Sequence, residues 1–432
     1  MIADIREFGA IEGDRLSSPA IQAAIDACYN VGGGEVVIPA GVFRTGTVWL
    51  RSNVTLKLLS GAMLVGSESA EDYSYVPSDL LNLDANYPDS TNSFIADTDS
   101  YSRWNRAIIK AVGAENIAVV GEKYSYIDGV DCWDGLGEEG YRGPHGINLK
   151  SCKNVTLHGY TLRRSGNWAH ALFACENVKI HGLKVLGGHD GIDLFVCRDV
   201  EISDCIIHTG DDCIAGYGSI GVRIFDCDFN TACSIFRFGG TDVLVSSCKQ
   251  VGASPFGHRY ALEEREKELR MPTDDSCRSN TLTAFLYYCD TRYIPLGTPG
   301  NIVFDNVSFD SVDAVFHMNY GNHVWCNNTP LASITFKNST FSGVSESTYV
   351  YADDKLPFEL TLENVIITAK QGFEDMPVID GARFSKISLS GVRFCGFSSP
   401  SIATSCDGVI ESNETDSFTV FKKPYVKYDN SK

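Results

Sequence analysis

A short motif that recurs at nearly constant spacing limits what this chain can fold into. Each copy has a polar residue or glycine, then Val, then any residue, then a branched apolar residue, and the copies begin at Asn154, Asn177, Asp199, Gly221 and Asp242. Successive copies are 21 to 23 residues apart. A period of this length is typical of solenoids, in which each repeat packs against its neighbours along the chain.

The composition of one period indicates which solenoid this is. Each copy combines β-branched residues with turn-forming Gly, Asn and Asp, and it is too short to include a crossover helix. The Leu/Asn consensus of leucine-rich repeats, which have a similar period, is missing. We therefore predict an all-β fold, a right-handed parallel β-helix in which each coil pairs with the next at about 4.8 Å.

The start of the chain predicts a cap for this solenoid. Residues 18–28 have the pattern of a helix, with Ser18 as N-cap and Pro19 at the first helical position. The open end of a solenoid has to be covered, so we expect an N-terminal cap within about residues 1–50. We predict one domain over residues 1–432, with an inserted loop region at about residues 252–300.

Cysteine and aspartate positions repeat in phase with the motif. Cys205, Cys227 and Cys248 each lie five residues after the motif Val, which supports the register. Counting twelve residues on from the motif residues Val178 and Val200 leads to Asp190 and Asp212. We expect these two aspartates to be stacked neighbours with Asp211 beside them. Carboxylates one strand spacing apart raise each other's proton affinity and titrate as a coupled set, as acid/base catalysis requires.

Charge and composition exclude several classes of function. There are 36 basic and 55 acidic residues, a formal net charge of −19, which argues against nucleic acid or anionic membrane partners. No stretch approaches the roughly 20 apolar residues of a membrane span, and the N-terminus lacks signal-peptide features, so we expect a cytoplasmic protein. The 15 cysteines show no zinc-site spacing. We expect buried free thiols, no metal and no cofactor, and the oligomeric state stays open.

Two segments of the repeat carry a resemblance to a known family. His-Asp-Gly-Ile-Asp at 189–193 and Gly-Asp-Asp-Cys-Ile-Ala at 210–215 are similar to the motifs of polygalacturonase-like glycosidases, glycoside hydrolase family 28. The resemblance implies an inverting hydrolase in which Asp211 is the general acid and Asp190 and Asp212 position and deprotonate the attacking water. We expect such an enzyme to act on short pectin-derived or related oligosaccharides, and to be exo-acting.

The sequence departs from the family pattern around the sugar. The family has Gly-His-Gly one coil after the Asp-Asp and Arg-x-Lys one coil further, whereas here residues 232–234 are Ala-Cys-Ser. We place the following coil at residues 257–261, where an arginine but no lysine is present. Because the family's Arg and Lys hold the sugar carboxylate, a non-uronate sugar stays open. The expected sugar-binding residues are His189, Arg237, His258, Arg259, Asn167 and Trp168.

Other functions are compatible with this pattern. A polysaccharide lyase would keep the fold, but lyases on this scaffold commonly use calcium with an Arg or Lys base, and the missing lysine disfavours that reading. Stacked aspartates can also be structural or bind calcium. A carbohydrate-binding β-helix that has lost catalysis is therefore a third hypothesis, which the missing Gly-His-Gly favours.

Overall fold

The structure, a computed structural model, describes residues 1–80, 102–252, 254–257, 281–290, 295–319, 329–353 and 356–424. They fall into two compact units, Met1–Asp211 with Phe256–Cys277 and Asp212–Pro255 with Arg278–Lys432. Each unit is built of parallel strands that pair from one coil to the next. The predicted fold class, an all-β right-handed parallel β-helix with an N-terminal capping helix, is confirmed.

The first unit contains strands of two parallel sheets. The longer strand set comprises Ile2–Asp4, Gly34–Ile38, Val48–Trp49, Val54–Leu58, Ala107–Val112, Glu115–Gly121, His145–Lys150, Lys153–His158, His170–Phe173, Glu176–His181, Ile192–Phe195 and Arg198–Ser203. The other comprises Gly13–Leu16, Gly41–Thr45, Ala62–Gly66, Tyr126–Asp128, Thr161–Arg163, Lys184–Gly187 and Ile206–Thr209. Short 3-10 helices lie at Ile5–Phe8, Ala70–Tyr73, Arg103–Asn105 and Glu138–Gly140.

The second unit has the same construction. The longer set comprises Ile214–Phe225, Ser234–Ser246, Thr281–Tyr287, Gly300–Asp305, Val312–Asn319, Ser333–Lys337, Thr348–Tyr351, Glu359–Glu363, Ile379–Ala382, Lys386–Ser390, Ser401–Thr404, Val409–Asn413 and Thr419–Lys422. The other comprises Asp228–Thr231, Lys249–Gln250, Ser308–Phe309, Thr340–Val344, Ile366–Ala369 and Arg393–Cys395.

Strand register follows the repeat seen in the sequence. Val155 pairs with Val178, which pairs with Val200, in the first unit, and Val222 pairs with Val243 in the second. These side chains are buried, so the motif Val is a core residue. Cysteines fill equivalent buried positions before short strands, and no cysteine in the described ranges forms a disulfide. Most of these thiols are buried as expected, but Cys395 is exposed.

The polar first residue of the motif takes a left-handed backbone conformation at the start of a strand. Asn53, Asn116, Asn154 and Asn177 have φ between 53° and 62°, the left-handed region that Asn tolerates better than most residues. Their side chains form a ladder in which each amide nitrogen donates to the preceding oxygen, at 2.9, 2.9 and 2.7 Å. Asp199, Gly221 and Asp242 have the same left-handed conformation, which explains why each repeat begins with Asn, Asp or Gly.

The second unit has an aromatic core. Phe304 stacks on Phe336 with ring centroids 5.0 Å apart, and Phe236 and Phe285 meet Phe304 edge-on at 5.3 and 5.4 Å. All of these rings are buried. Burial of each ring contributes on the order of 2 kcal/mol, so this column of rings stabilises adjacent coils.

The capping helix spans Ser18–Asn30 and covers the edge of the first coils. Its Gln22 side chain binds the backbone of Trp49 twice, accepting from the amide at 2.7 Å and donating to the carbonyl at 3.1 Å. The prediction of Ser18 as N-cap was wrong: Ser17 is the N-cap and makes no side-chain cap bond. The Ser18 hydroxyl instead accepts from the Gly46 amide at 2.7 Å, because a tertiary contact takes the oxygen that a cap would use.

Across the described part of the chain, no helix has the length and apolar character needed to span a bilayer.

Candidate functional site

Asp190 lies in the tight turn between strands Lys184–Gly187 and Ile192–Phe195 of the first unit. The carbonyl of Asp190 accepts from the Ala169 amide at 2.8 Å, and the carbonyl of Gly191 accepts from the His170 amide at 3.1 Å. The preceding coil therefore fixes the backbone on both sides of this aspartate.

His170 anchors the same turn from the core. Its Nδ1 lies 3.2 Å from the Gly191 carbonyl and its Nε2 lies 3.0 Å from the Tyr160 hydroxyl. A carbonyl only accepts, so Nδ1 carries the hydrogen and Nε2 accepts from the hydroxyl. Burial lowers the pKa of His170 to about 4, so the ring is neutral at physiological pH. We assign it a structural role.

Asp211 follows a glycine that no other residue could replace without movement. A Cβ on Gly210 would lie 1.9 Å from the Gly257 carbonyl oxygen and 2.7 Å from that of Gly188. The Gly210 amide donates to the carbonyl of Gly187 at 2.8 Å, and the Thr209 hydroxyl donates to the carbonyl of Asp211 at 2.7 Å. Close backbone packing thus sets the position of Asp211.

Arg142 contacts Asp211 from a loop in the first unit. Its Nη2 lies 3.4 Å from Oδ2 of Asp211, its Nη1 donates to Oδ1 of Asn167 at 3.0 Å, and its Nε donates to Oε2 of Glu139 at 3.2 Å. The side chain is only 5% exposed. Both edges of the guanidinium are therefore engaged inside the protein.

Acidic groups surround this buried cation. Burial disfavours the charged form of Arg142, but the negative charges of Glu138, Asp211 and Asp190 outweigh it and raise the pKa of Arg142 well above its usual value. Glu138 is itself buried and accepts from Nδ2 of Asn167 at 2.9 Å. The arrangement is a charged network with Asp190 and Asp211 among its members.

Asp212, in the second unit, has its own arginine. Its Oδ2 accepts from Nε of Arg237 at 2.5 Å, and its Oδ1 accepts from the Ser234 amide at 3.0 Å. The Arg237 guanidinium lies 4.6 Å from the centre of the Tyr288 ring. Both oxygens of this buried carboxylate are held by the strand Ser234–Ser246, so its orientation is fixed.

The remaining predicted site residues lie in the core or outside the described residues. His189 is buried. Trp168 is also buried, with its ring 5.2 Å from that of His145 and 5.9 Å from that of Phe195. Asn167 is fully buried and binds the network described above. His258 and Arg259 lie outside the described residues, and so do the 81–101 and 258–280 loop segments.

The coil that follows Ser234–Ser246 is not where we expected it. The pairing strand is Thr281–Tyr287, with Arg237 opposite Leu286. Placing this coil at residues 257–261 was wrong, because the strand that pairs with Ser234–Ser246 begins at Thr281. The Gln250 side-chain amide donates to the Thr281 hydroxyl at 3.3 Å. Thr281–Tyr287 contains no Arg or Lys.

Sequence reasoning missed Arg142 and Glu138. Both lie in the interruption before His145–Lys150, and neither was among the predicted site residues. The available signal was the group of charged residues at 138–142 directly before this strand. Our expectation that the site holds no metal stays a prediction.

Known proteins are similar to this chain in sequence and fold. The family model described as glycosyl hydrolases family 28 matches residues 28–240. An exo-poly-α-D-galacturonosidase of Dickeya chrysanthemi is 46% identical over 93 residues, which are 19% of this chain and 15% of that protein. The chain thus aligns with only a small part of that relative.

Two solved structures support the fold. A family 28 exopolygalacturonase of Yersinia enterocolitica has a TM-score of 0.66 at 19% identity, covering 98% of this chain and 79% of its own. A surface adhesin of Streptococcus pneumoniae has a TM-score of 0.55 at 14% identity, covering 100% and 97%. Identities this low indicate a shared fold only. The segment matched by the family model contains all three predicted catalytic aspartates.

Proposed function

Because the model of glycosyl hydrolases family 28 matches residues 28–240, we propose that this chain is a polygalacturonase-like hydrolase that cleaves pectin-derived or related oligosaccharides. The observation that carries the proposal is the presence of Asp190, Asp211 and Asp212 in the matched segment, with an arginine beside Asp211 and another beside Asp212. The exo-acting names of the Dickeya and Yersinia proteins support removal of sugars from a chain end.

The proposed reaction is hydrolysis with inversion. Asp211 gives its proton to the glycosidic oxygen as the bond from that oxygen to the anomeric carbon breaks. A water oriented by Asp190 and Asp212 attacks that carbon from the opposite face and passes a proton to a carboxylate. The products are two sugars, and the newly formed reducing end first has the opposite anomeric configuration.

The contacts of Asp212 support its proposed role as a base. Arg237 and the Ser234 amide donate to different oxygens of this carboxylate, which fixes its plane. Because a guanidinium has five N–H donors, Arg237 could bind a sugar carboxylate as well as Asp212. We keep His189, Trp168, Arg237, His258 and Arg259 as proposed sugar contacts.

Asn167 has contacts that support another role. Its Nδ2 donates to Glu138, and its Oδ1 accepts from Arg142 and, at 3.0 Å, from the Trp168 amide. Its amide is thus bound by protein groups on both sides. We propose that Asn167 positions the network around Asp211 and does not bind sugar directly.

A neutral or otherwise non-uronate sugar is the second candidate substrate. The strand Thr281–Tyr287, which follows the Arg237 strand, supplies no basic side chain to hold a carboxylate. A uronate would then depend on Arg237 and on residues of the inserted loop region. This candidate keeps the mechanism and changes only the sugar.

The test compares the wild-type protein with Asp211→Asn on matched uronate and neutral oligosaccharides. We expect wild-type hydrolysis and a loss of at least about 100-fold in kcat for the variant, since it lacks the acid, with substrate binding retained. NMR of the first product should show the inverted anomer. Undiminished turnover by the variant would contradict the proposal. An ultraviolet-absorbing unsaturated product would indicate a lyase, and binding without turnover in the wild type would indicate a carbohydrate-binding module.

A further inference from the structure

We infer that Arg142 is a positioning residue that holds Asp211 in the orientation needed to protonate the glycosidic oxygen. This role rests on the proposed function, in which Asp211 is the general acid. It is independent of which sugar is bound.

The backbone of Arg142 is held in place by its own loop. Arg142 forms an isolated antiparallel bridge with Trp133, and its amide donates to the Glu138 carbonyl at 3.0 Å. The backbone of Arg142, from which the guanidinium side chain extends, is therefore held by hydrogen bonds within the loop.

The guanidinium plane is fixed by three different partners. Nε binds Glu139, Nη1 binds Asn167, and Nη2 lies 3.4 Å from Oδ2 of Asp211. A lysine ammonium is a compact charge on a flexible stem and cannot satisfy three partners in one plane. Because Nε and Nη1 are held by Glu139 and Asn167, the position of Nη2 beside Asp211 is fixed.

This contact distinguishes the two oxygens of Asp211. An oxygen that faces a guanidinium donor is an unfavourable place for a proton, because the donor and the acidic hydrogen would compete for the same side of the carboxyl group. The acidic proton of Asp211 is therefore directed to Oδ1, the oxygen that Arg142 does not contact. A general acid needs its proton on the oxygen that reaches the leaving group, so the arginine selects the productive form.

Replacing Arg142 also changes the charge balance of the network, so the choice of variants has to allow for this. The acidic groups that face Arg142 are Glu138 and Glu139 on its own loop, Asp190 two coils further along the chain, and Asp211. Loss of the guanidinium leaves these carboxylates without their cation, which could unfold the loop. The variants are therefore Arg142→Met, Arg142→Lys, and the double change Glu138→Gln with Arg142→Met, which removes one charge of each sign.

The experiment compares two leaving groups on the same terminal sugar: the oligosaccharide that the wild-type protein hydrolyses, and a 2,4-dinitrophenyl glycoside, which departs with little help from an acid. We expect the neutral variants to lose about 100-fold in kcat on the oligosaccharide, as misplacement of a catalytic group does. On the dinitrophenyl glycoside they should lose less than about 10-fold. Arg142→Lys should lie between these variants and the wild type.

Arg103→Met is the matched control. Arg103 also anchors this interruption, through bonds of 2.6 and 2.8 Å to Asp134 and a bond of 2.7 Å to Glu71. We expect the control to keep the wild-type ratio of the two rates. Equal losses on both substrates in the folded Arg142 variants, or no loss, would overturn the positioning role alone. A wild-type protein that hydrolyses neither substrate would overturn the proposed function and this role with it.

Discussion

Single residues near the predicted acid and base show how buried charge is accommodated. Arg142 and Arg237 each lie against one aspartate, and each is largely buried. A buried carboxylate without a partner would be protonated or would destabilise the fold. Each arginine therefore holds the carboxyl group beside it in one orientation inside the protein.

His170 gives a pH-dependent contribution to stability that can be measured. Its folded pKa of about 4 lies below the value of an unfolded histidine, so the unfolded chain binds more protons between these values. The contribution is full above the unfolded pKa, is lost as the pH falls, and levels off near pH 4. From pH 7 to pH 5 we expect the wild type to lose about 2 kcal/mol more unfolding free energy than His170→Gln.

Urea unfolding at both pH values measures this difference for His170. The glutamine variant is the reference for the wild-type protein, since it keeps a donor and an acceptor while removing the titrating ring. Equal pH slopes for the two proteins would contradict a buried neutral histidine.

The sequence predicted the aspartates but not the residues that hold them. Asp190 and Asp212 could be found because their spacing equals the period of the repeat. Arg142 lies in an interruption with no period, so its contact with Asp211 depends on a loop path that only the tertiary structure defines. Asn167 was found, but its contacts show a supporting position.

At the scale of elements, the turn before Asp211 depends on one glycine. In Gly210→Ala the added methyl would collide with the carbonyl oxygens of Gly257 and Gly188, so the backbone has to shift. Because a shift of about 1 Å at a catalytic group can cost on the order of 100-fold, we expect a loss of that size in kcat.

Gly187→Ala is the control for this substitution. A Cβ on Gly187 would have its nearest neighbour at 3.5 Å, an ordinary contact, so activity should stay close to that of the wild type. Steady-state kinetics and thermal melting of both variants check the prediction. Full activity in Gly210→Ala would show that the turn tolerates movement.

The elements themselves were predictable where the period is unbroken. The motif Val pairs with its counterparts one coil away, as the spacing indicated. The error after Ser234–Ser246 has a physical cause. The next paired strand begins at Thr281, later than one period of the repeat would place it, so counting along the sequence no longer identifies equivalent positions. The strand Thr281–Tyr287 could be assigned only from its pairing.

For the whole molecule, the formal charge of −19 predicts a response to salt. Like charges on a compact chain repel one another, and salt screens exposed charges more than buried ion pairs. We expect the melting temperature to rise when ionic strength increases from about 10 mM to about 150 mM.

Sodium and potassium chloride should raise the melting temperature equally, because screening depends on ionic strength and not on the identity of the cation. A lower melting temperature in salt would mean that exposed ion pairs outweigh the net repulsion.

The fold class could be predicted from the sequence because each coil of a solenoid adds one period to the sequence pattern. The prediction of one domain over residues 1–432 stays a prediction, and the described residues form two compact units. Arg142 and Glu138 were least predictable, because they lie in an interruption whose residues follow no repeat.

The hydrogen bond between the side chains of Gln250 and Thr281 has a consequence for how such proteins diversify. The Gln250 side-chain amide donates to the Thr281 hydroxyl, which in turn donates to the Thr231 carbonyl at 2.7 Å, so these side chains tie strand Thr281–Tyr287 to the coil before it. Neither hydrogen bond uses a side chain of residues 258–280, whereas Gly257 is restricted by its packing against Gly210. On the proposed function, a preference for a different carbohydrate could therefore evolve through residues 258–280 without a change at Asp190, Asp211 or Asp212.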